Sequence, residues 1–295
     1  MNKLKLSVVI PAHNEEKNLP QTLTDLQETL RAERIPYEII VVNDNSVDGT
    51  EAVIRSFMEA DPRVRGVCRR PPKGFGRAVR AGLDAVLGDV VIVYMADASD
   101  HPADAAAYYY KIVEGYDCVF GSRFIRGSRV TAYPPLKRIV NRIVNKCMQW
   151  LFLCPLNDLT NAFKAYRTHV IRECGPFRAS HFNITIEMAL SAVVRKYNII
   201  QVPISWAGRT WGSSNLNLRQ MGRRYLSTLL KIYAEKLLIA DDLLAERLAA
   251  HVVQEDRLAK MEETLAAAHL RLGQIEQRLE HPDDAAFHLT LRKSA

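Results

Sequence analysis

The feature that most constrains this chain is a repeat of short β-branched runs, each closed by a polar loop and followed by an amphipathic segment. Leu6-Ser7-Val8-Val9-Ile10-Pro11 opens the series and leads into Asn18 to Ala32, where leucines recur at helical spacing. Tyr37 to Val42 comes next, followed by a helical stretch reaching Met58 and a helix from Gly76 to Leu87. A strand from Val90 to Met95, a helix from Ala103 to Val113 and a strand from Asp117 to Phe120 continue the alternation. Strands and helices alternating at this spacing predict βαβ units and a mostly parallel, doubly wound α/β sheet flanked by helices. Ligands of such sheets lie beyond the carboxyl ends of the strands. The loops after Ile10, Val42 and Met95 all sit at such ends, so they are expected to converge.

The second half reads differently. Pro134 to Leu156 is helical, with Ile139, Val140, Ile143, Val144, Cys147 and Leu151 on one face. No acidic residue lies between Asp117 and Asp158, while Arg123, Arg126, Arg129, Lys137, Arg138, Arg142 and Lys146 accumulate there. A charge run of this kind is either a solvated face or, beside an apolar stripe, an interfacial helix. Ile199 to Ser205 reads as a strand, and about Arg219 to Glu280 as helix. Within it Leu258, Met261, Leu265, Ala268, Leu272, Ile275 and Leu279 alternate steps of three and four, a heptad seam that predicts a coiled coil and a homo-oligomer. The alternative is a hairpin folding back on the body. The expected organisation is a catalytic domain over residues 1–217, a helical extension over 218–281 with its seam at 258–279, and a flexible tail over 282–295.

The chain of 295 residues carries a formal charge of +7, which favours an anionic partner. No aromatic-interleaved basic strand accompanies that charge, so nucleic acid is not the expected one. The five cysteines, Cys68, Cys118, Cys147, Cys154 and Cys174, form no C-x-x-C pair, which suits a reducing cytoplasm. The N-terminus shows no signal-peptide core, and the apolar run from Met148 to Leu156 is far too short to span a bilayer. Any membrane contact is therefore expected at the surface, on the inner face.

The loop Met95-Ala96-Asp97-Ala98-Ser99-Asp100-His101-Pro102 carries the clearest chemistry. Asp97 and Asp100, just past a buried strand, supply the oxygen ligands that Mg²⁺ or Mn²⁺ takes together with substrate phosphates. An acidic turn after a strand is also ordinary helix-cap chemistry. His13 and His101 have no partners at ligand spacing and are not expected to bind metal.

Taken together, Ser7 to Glu15, Ile40 to Thr50, Gly74-Phe75-Gly76-Arg77-Ala78 and the Asp97 loop resemble, in order and spacing, the nucleotide-binding half of family 2 glycosyltransferases. Gly121-Ser122-Arg123-Phe124, Asp158 to Tyr166, Val202-Pro203-Ile204-Ser205 and Arg209-Thr210-Trp211-Gly212-Ser213-Ser214 resemble the second half of the dolichyl-phosphate mannose synthase branch and its bacterial polyprenyl-phosphate relatives. The resemblance covers about Leu4 to Leu216. It implies a GT-A fold and inverting transfer of a sugar from a GDP- or UDP-linked donor.

By that resemblance Pro11, Ala12 and Glu15 border the nucleoside, Asn43 and Asp44 contact its base, and Ala96, Asp97 and Arg209 complete the donor site. Asp97 and Asp100 hold the divalent metal, and Asp158 is the base or the acceptor-orienting carboxylate. Arg123, Arg138 and Arg142 receive an acceptor phosphate. Trp206 and Trp211 could wall the sugar. Two motifs depart from the family pattern. Asn43 stands where relatives carry the first aspartate of D-D-N-S, which leaves the base open between guanine and uracil. The D-x-D of relatives is Ala96-Asp97-Ala98 here, so either Asp97 is the metal-ligating aspartate after a one-residue deletion, or Asp97 and Asp100 form a shifted pair. The expected acceptor is a polyprenyl phosphate at the cytosolic membrane face. A soluble acceptor and a metal-impaired sugar-nucleotide-binding scaffold are the alternatives.

Overall fold

The computed structural model describes residues 3–208, 222–239, 260–261 and 264–265. Its centre is a seven-stranded sheet in the order β3-β2-β1-β4-β7-β5-β8, beside a two-stranded ribbon of β6 and β9. Strands β1 (Leu6–Ala12) and β2 (Tyr37–Asn43) are buried along their whole length and pair in parallel. A parallel strand covered on both faces has no solvent side, which is why both read as near-continuous apolar runs. Strands β3 (Val64–Cys68) and β4 (Val90–Val93) extend the parallel part on either side.

Helix α1 (Leu19–Ala32) buries Leu19, Leu23, Leu26 and Leu30, one stripe at steps of three and four. Helices α2 (Thr50–Ala60) and α3 (Phe75–Asp84) follow β2 and β3, and α4 (Pro102–Val113) follows β4. Gly82 of α3 lies so close to the sheet that an added Cβ would sit 2.3 Å from Val9. Only glycine lets the helix approach that far.

β1 pairs with β2 on one side and with β4 on the other, so the chain reverses its winding direction between β1 and β4. That reversal is the switch point where α/β sheets open a crevice at their carboxyl edge. The loops after β1 and β4 both emerge there.

Beyond β5 (Cys118–Ser122) come β6 (Arg129–Thr131), α5 (Pro135–Phe152), β7 (Lys164–Arg167), α6 (Thr168–Cys174), α7 (Ile184–Val194), β8 (Ile199–Pro203) and β9 (Ser205–Ala207). Two strands of the seven-stranded sheet were not expected from the sequence, nor was the β6–β9 ribbon. β3 is interrupted by Arg65 and Gly66, which dilutes its pattern. β7 is four residues long, contains a buried lysine, and inserts antiparallel between β4 and β5.

Residues 222–239 form a further helix, α8. Tyr233 packs edge-on against Phe152 of α5 and Lys231 pairs with Glu187 of α7. The compact unit accordingly runs from Met1 to Leu237, past the boundary expected after residue 217, and Leu238–Ala295 is a second unit. Most of the expected heptad seam and the tail over 282–295 lie outside the described residues. Met261 and Leu265 of the seam are described, and both are exposed. Among the described residues no helix is long and apolar enough to cross a membrane.

Candidate active site

The loops after β1 and β2 are tied to each other before any ligand arrives. The Asp44 N–H donates to the Ala12 carbonyl at 2.8 Å, and His13 Nδ1 lies 2.9 Å from the Asp44 carbonyl. Asn14 and Asn45 both adopt left-handed backbone, which asparagine tolerates better than most residues. Asn14 then accepts from the Val47 N–H and donates its own N–H to Ser46 Oγ. Asn43 Oδ1 accepts the Ser46 N–H at 3.0 Å. The Glu15 N–H donates to Thr50 Oγ1, and Glu15 Oε2 accepts from Asn18 at 2.7 Å. Pro11, Ala12, Glu15, Asn43 and Asp44 thus form one buried wall.

Asp44 is the anchor of that wall. Its carboxylate pairs with Arg69 and accepts the Gly74 N–H at 2.6 Å, at the start of α3. Neither partner was anticipated, since Arg69 and Gly74 lie 25 and 30 residues further along the chain.

The loop after β4 is equally fixed. Thr22 donates to the Ala96 carbonyl at 3.0 Å, Tyr94 Oη donates to the Asp100 carbonyl, and the Ala207 N–H donates to the Ser99 carbonyl at 3.0 Å. Ala98 sits at φ 57°, a conformation costing a residue with a Cβ roughly 1–2 kcal/mol. Its left-handed turn lies between Asp97 and Asp100, both buried. Asp97 Oδ1 accepts the Ser99 N–H, and Asp100 Oδ2 accepts the Met95 N–H. Burial, and then the neighbouring Asp97 carboxylate, push the Asp100 carboxyl up to about 8. Among the described residues no group of three or more His, Cys, Asp or Glu side chains is placed to hold a metal. Two adjacent carboxylates fit a hard divalent cation that takes its remaining oxygens from a diphosphate and water. Asp100, Ser99 and Trp206 line a cavity of about 440 Å³ beside this loop.

Asp158 and Arg123 form the second centre. Asp158 is 0% exposed. Its Oδ2 accepts the Arg123 N–H at 3.0 Å and Nε at 2.8 Å, and its Oδ1 accepts Nη2 at 2.7 Å. Burial disfavours the Arg123 charge, but the Asp158 carboxylate outweighs that, and the guanidinium is held protonated more firmly than usual. Phe124, Tyr133 and Trp206 surround Arg123 with ring centroids 5.5, 5.3 and 5.9 Å away. Arg142 lies over the Phe124 ring, 5.0 Å from its centroid, and Arg138 is exposed one turn earlier on α5. Arg209 falls outside the described residues.

A buried polar network supports this pair and was not anticipated. Asn145 accepts the Leu159 N–H at 2.6 Å, and Thr160 donates to Asn141 at 2.8 Å. Lys164 donates from within the core to the carbonyls of Leu159 and Asn161. Asn141 and Asn145, four apart on a helix otherwise read as apolar and basic, were the available signal.

The glycosyl transferase family 2 model matches residues 7–183, more than half of the chain and all of the strands that build both centres up to β7. The chain belongs to glycosyl transferase family 2. This family member is a sugar-transferring enzyme. It is 29% identical over 216 residues to polyprenol monophosphomannose synthase of Mycolicibacterium smegmatis, covering 71% of this chain and 80% of that one. It is 28% identical over 219 residues to dolichol-phosphate mannosyltransferase of Pyrococcus furiosus, covering 72% of this chain and 59% of that one. The chain therefore spans less than two thirds of the Pyrococcus protein. Glucosyl-3-phosphoglycerate synthase of Mycobacterium tuberculosis, solved with uridine diphosphate, superposes at a TM-score of 0.60 with 22% identity, covering 78% of this chain and 80% of that one. The fold is the GT-A arrangement that the sequence resemblance implied.

Proposed function

We propose that this family 2 enzyme moves a sugar, with inversion, from a nucleoside-diphosphate donor to a polyprenyl phosphate at a membrane surface. The observation that carries the acceptor is the outer face of α5. Leu136, Ile139, Ile143 and Trp150 are 73, 58, 58 and 80% exposed, and Leu153 just past the helix is 84% exposed. Arg138, Arg142 and Lys146 share the same exposed helix. Leu226, Leu230 and Leu237 of α8, which packs against the end of α5, are also more than half exposed. An apolar strip flanked by cations is the pattern of a helix lying in the interface of an anionic bilayer. At about 1.5–3 kcal/mol per fully buried side chain, burying the exposed parts of these five contributes roughly 5–10 kcal/mol, enough for reversible docking even if half is realised. The two relatives named above are a polyprenol and a dolichol phosphate enzyme, which supports the same class of acceptor.

The donor would lie against Pro11, Ala12, Glu15, Asn43, Asp44 and Ala96, at the switch point of the sheet. Asp97 and Asp100 are the residues that would hold Mg²⁺ or Mn²⁺, and such an ion offsets the charge developing on the departing diphosphate. The Mycobacterium tuberculosis neighbour is crystallised with Mn²⁺ and with Mg²⁺ together with uridine diphosphate. The loop holding Asp97 and Asp100 is preformed by hydrogen bonds to α1 and β9, so little reorganisation is needed when the donor binds.

An acceptor phosphate is already ionised near neutral pH and needs positioning more than deprotonation. That matches Asp158, whose two oxygens are both engaged by Arg123. Asp158 is then a positioning residue. It fixes Arg123, whose Nη1 makes no hydrogen bond among the described residues and is available to the acceptor phosphate.

Two aspartates on the strip test the reading. Ile139→Asp with Ile143→Asp should abolish co-flotation with phosphatidylglycerol vesicles and lower transfer to undecaprenyl phosphate in those vesicles at least tenfold. Hydrolysis of the donor should be unchanged. Efficient transfer to a water-soluble sugar, unaffected by the two substitutions, would overturn the lipid acceptor and leave the glycosyltransferase assignment standing.

A further inference from the structure

On the opposite side of the α3 N-terminus from Asp44 lies a second cavity, of about 280 Å³, between the turn before α7 and one face of α8. None of the donor or acceptor residues named above lines it. Arg178 and His181 enter from the turn, and Arg224 and Lys231 from α8. Glu187 is the one acid among the lining residues and is already fully used. It accepts the Arg178 and Ala179 backbone N–H groups at 2.8–3.0 Å and Lys231 Nζ at 2.6 Å. The guanidinium groups of Arg178 and Arg224 have no carboxylate partner among the described residues.

Asn183 supplies a second observation. It is more than nine-tenths buried and lines the cavity, and its Oδ1 has no hydrogen-bond partner among the described residues. Its amide orientation is set by its neighbours. Nδ2 donates to Thr228 Oγ1 at 2.9 Å, and the Thr228 hydroxyl hydrogen is taken by the Arg224 carbonyl. A flipped amide would face Thr228 with an acceptor and lose that bond, so Oδ1 is the atom left wanting a donor. Burial, then Arg224 of the cavity and Arg77 outside it, hold the His181 imidazole below the ordinary range, with Asp44 opposing. Two uncompensated guanidinium groups attract an oxyanion, and an orphan acceptor beside them asks for a hydroxyl on the same ligand.

We propose that this cavity is a second anion site, built for a phosphate-bearing ligand that also presents a hydroxyl, hydrogen phosphate being the smallest member of that class. It is independent of the acceptor assigned above. The backbone of its wall touches the donor side: a Cβ added to Gly74 would meet the Ser180 carbonyl at 2.4 Å, and one added to Gly76 would meet the Ala179 carbonyl at 2.4 Å. One layer of main chain therefore separates this cavity from the residue whose N–H holds Asp44.

Titration calorimetry with inorganic phosphate on the full chain tests the proposal. Binding should persist in Asp97→Ala, which alters the donor site, and weaken about tenfold or more in Arg178→Gln with Arg224→Gln, the loss expected for two charge-assisted contacts. Arg178→Lys with Arg224→Lys, which keeps the charge, should retain most of it and controls for folding. Equal binding in the wild type and the double glutamine variant, or no binding at millimolar phosphate, overturns the proposal. So does a double glutamine variant that loses only phosphatidylglycerol vesicle binding, since that would assign the two arginines to a lipid headgroup.

Discussion

Asp97 is the carboxylate that both readings of the loop keep as a metal ligand, and it has alanine on both sides. Its worth follows from charge. A diphosphate leaving group gains negative charge in the transition state, and a divalent cation, if held by Asp97 and Asp100 as proposed, would stabilise it. Asp97→Ala should lower Mn²⁺-dependent turnover by about 10²-fold or more, with the melting temperature little changed. Unaltered metal-dependent turnover, measured by release of nucleoside diphosphate, would remove the loop from the mechanism. The candidate donor residues were legible in the sequence because most lie at or just past the ends of β-branched runs, in segments that resemble family 2 glycosyltransferases. Their partners were not. The Arg69 and Gly74 contacts that pin Asp44 depend on where a loop 25 to 30 residues away happens to pass.

Among the elements, β7 and the turn before it show what a buried cation does. Lys164 is almost fully enclosed and donates to two carbonyls of the turn that carries Asp158. Burial pushes its ammonium down to about 7, with Asp158 opposing and Arg123 adding to the shift. The folded state therefore holds this proton less tightly than the unfolded chain, whose lysine titrates near 10.4. Between about pH 7 and 10 the unfolded state binds more protons at this site, so its contribution to stability should rise with pH and level off below about 7. Lys164→Met should lack that rise, so the stability difference between wild type and variant should grow with pH between about 7 and 10. The variant should also lose about 1–3 kcal/mol at neutral pH, because two buried carbonyls lose their donor. Urea denaturation at several pH values measures both, and a pH-independent difference would show that the lysine is not buried as a titrating group. No periodicity announces such a residue: a lysine in a short strand reads as a surface position.

For the whole molecule, the sequence extends past the compact unit that ends at Leu237. The heptad seam from Leu258 to Leu279 predicts self-association. Truncation after Ala249 should convert an oligomer into a monomer in light scattering, with hydrolysis of the donor retained. An unchanged mass would remove the seam from any assembly role. What the sequence by itself determined is the α/β class, the parallel strands β1, β2 and β4, and the three loops at their carboxyl ends. Strands buried on both faces need continuous apolar runs, and that signal is local. Only the tertiary structure decided that Asp158 spends both oxygens on Arg123 and that β7 runs antiparallel. It also decided that α8 joins the catalytic body and that a cationic cavity forms behind Gly74. Those outcomes depend on which distant side chains meet inside a low-dielectric core, where a charge must find a partner, and residue spacing along the chain carries no record of that choice.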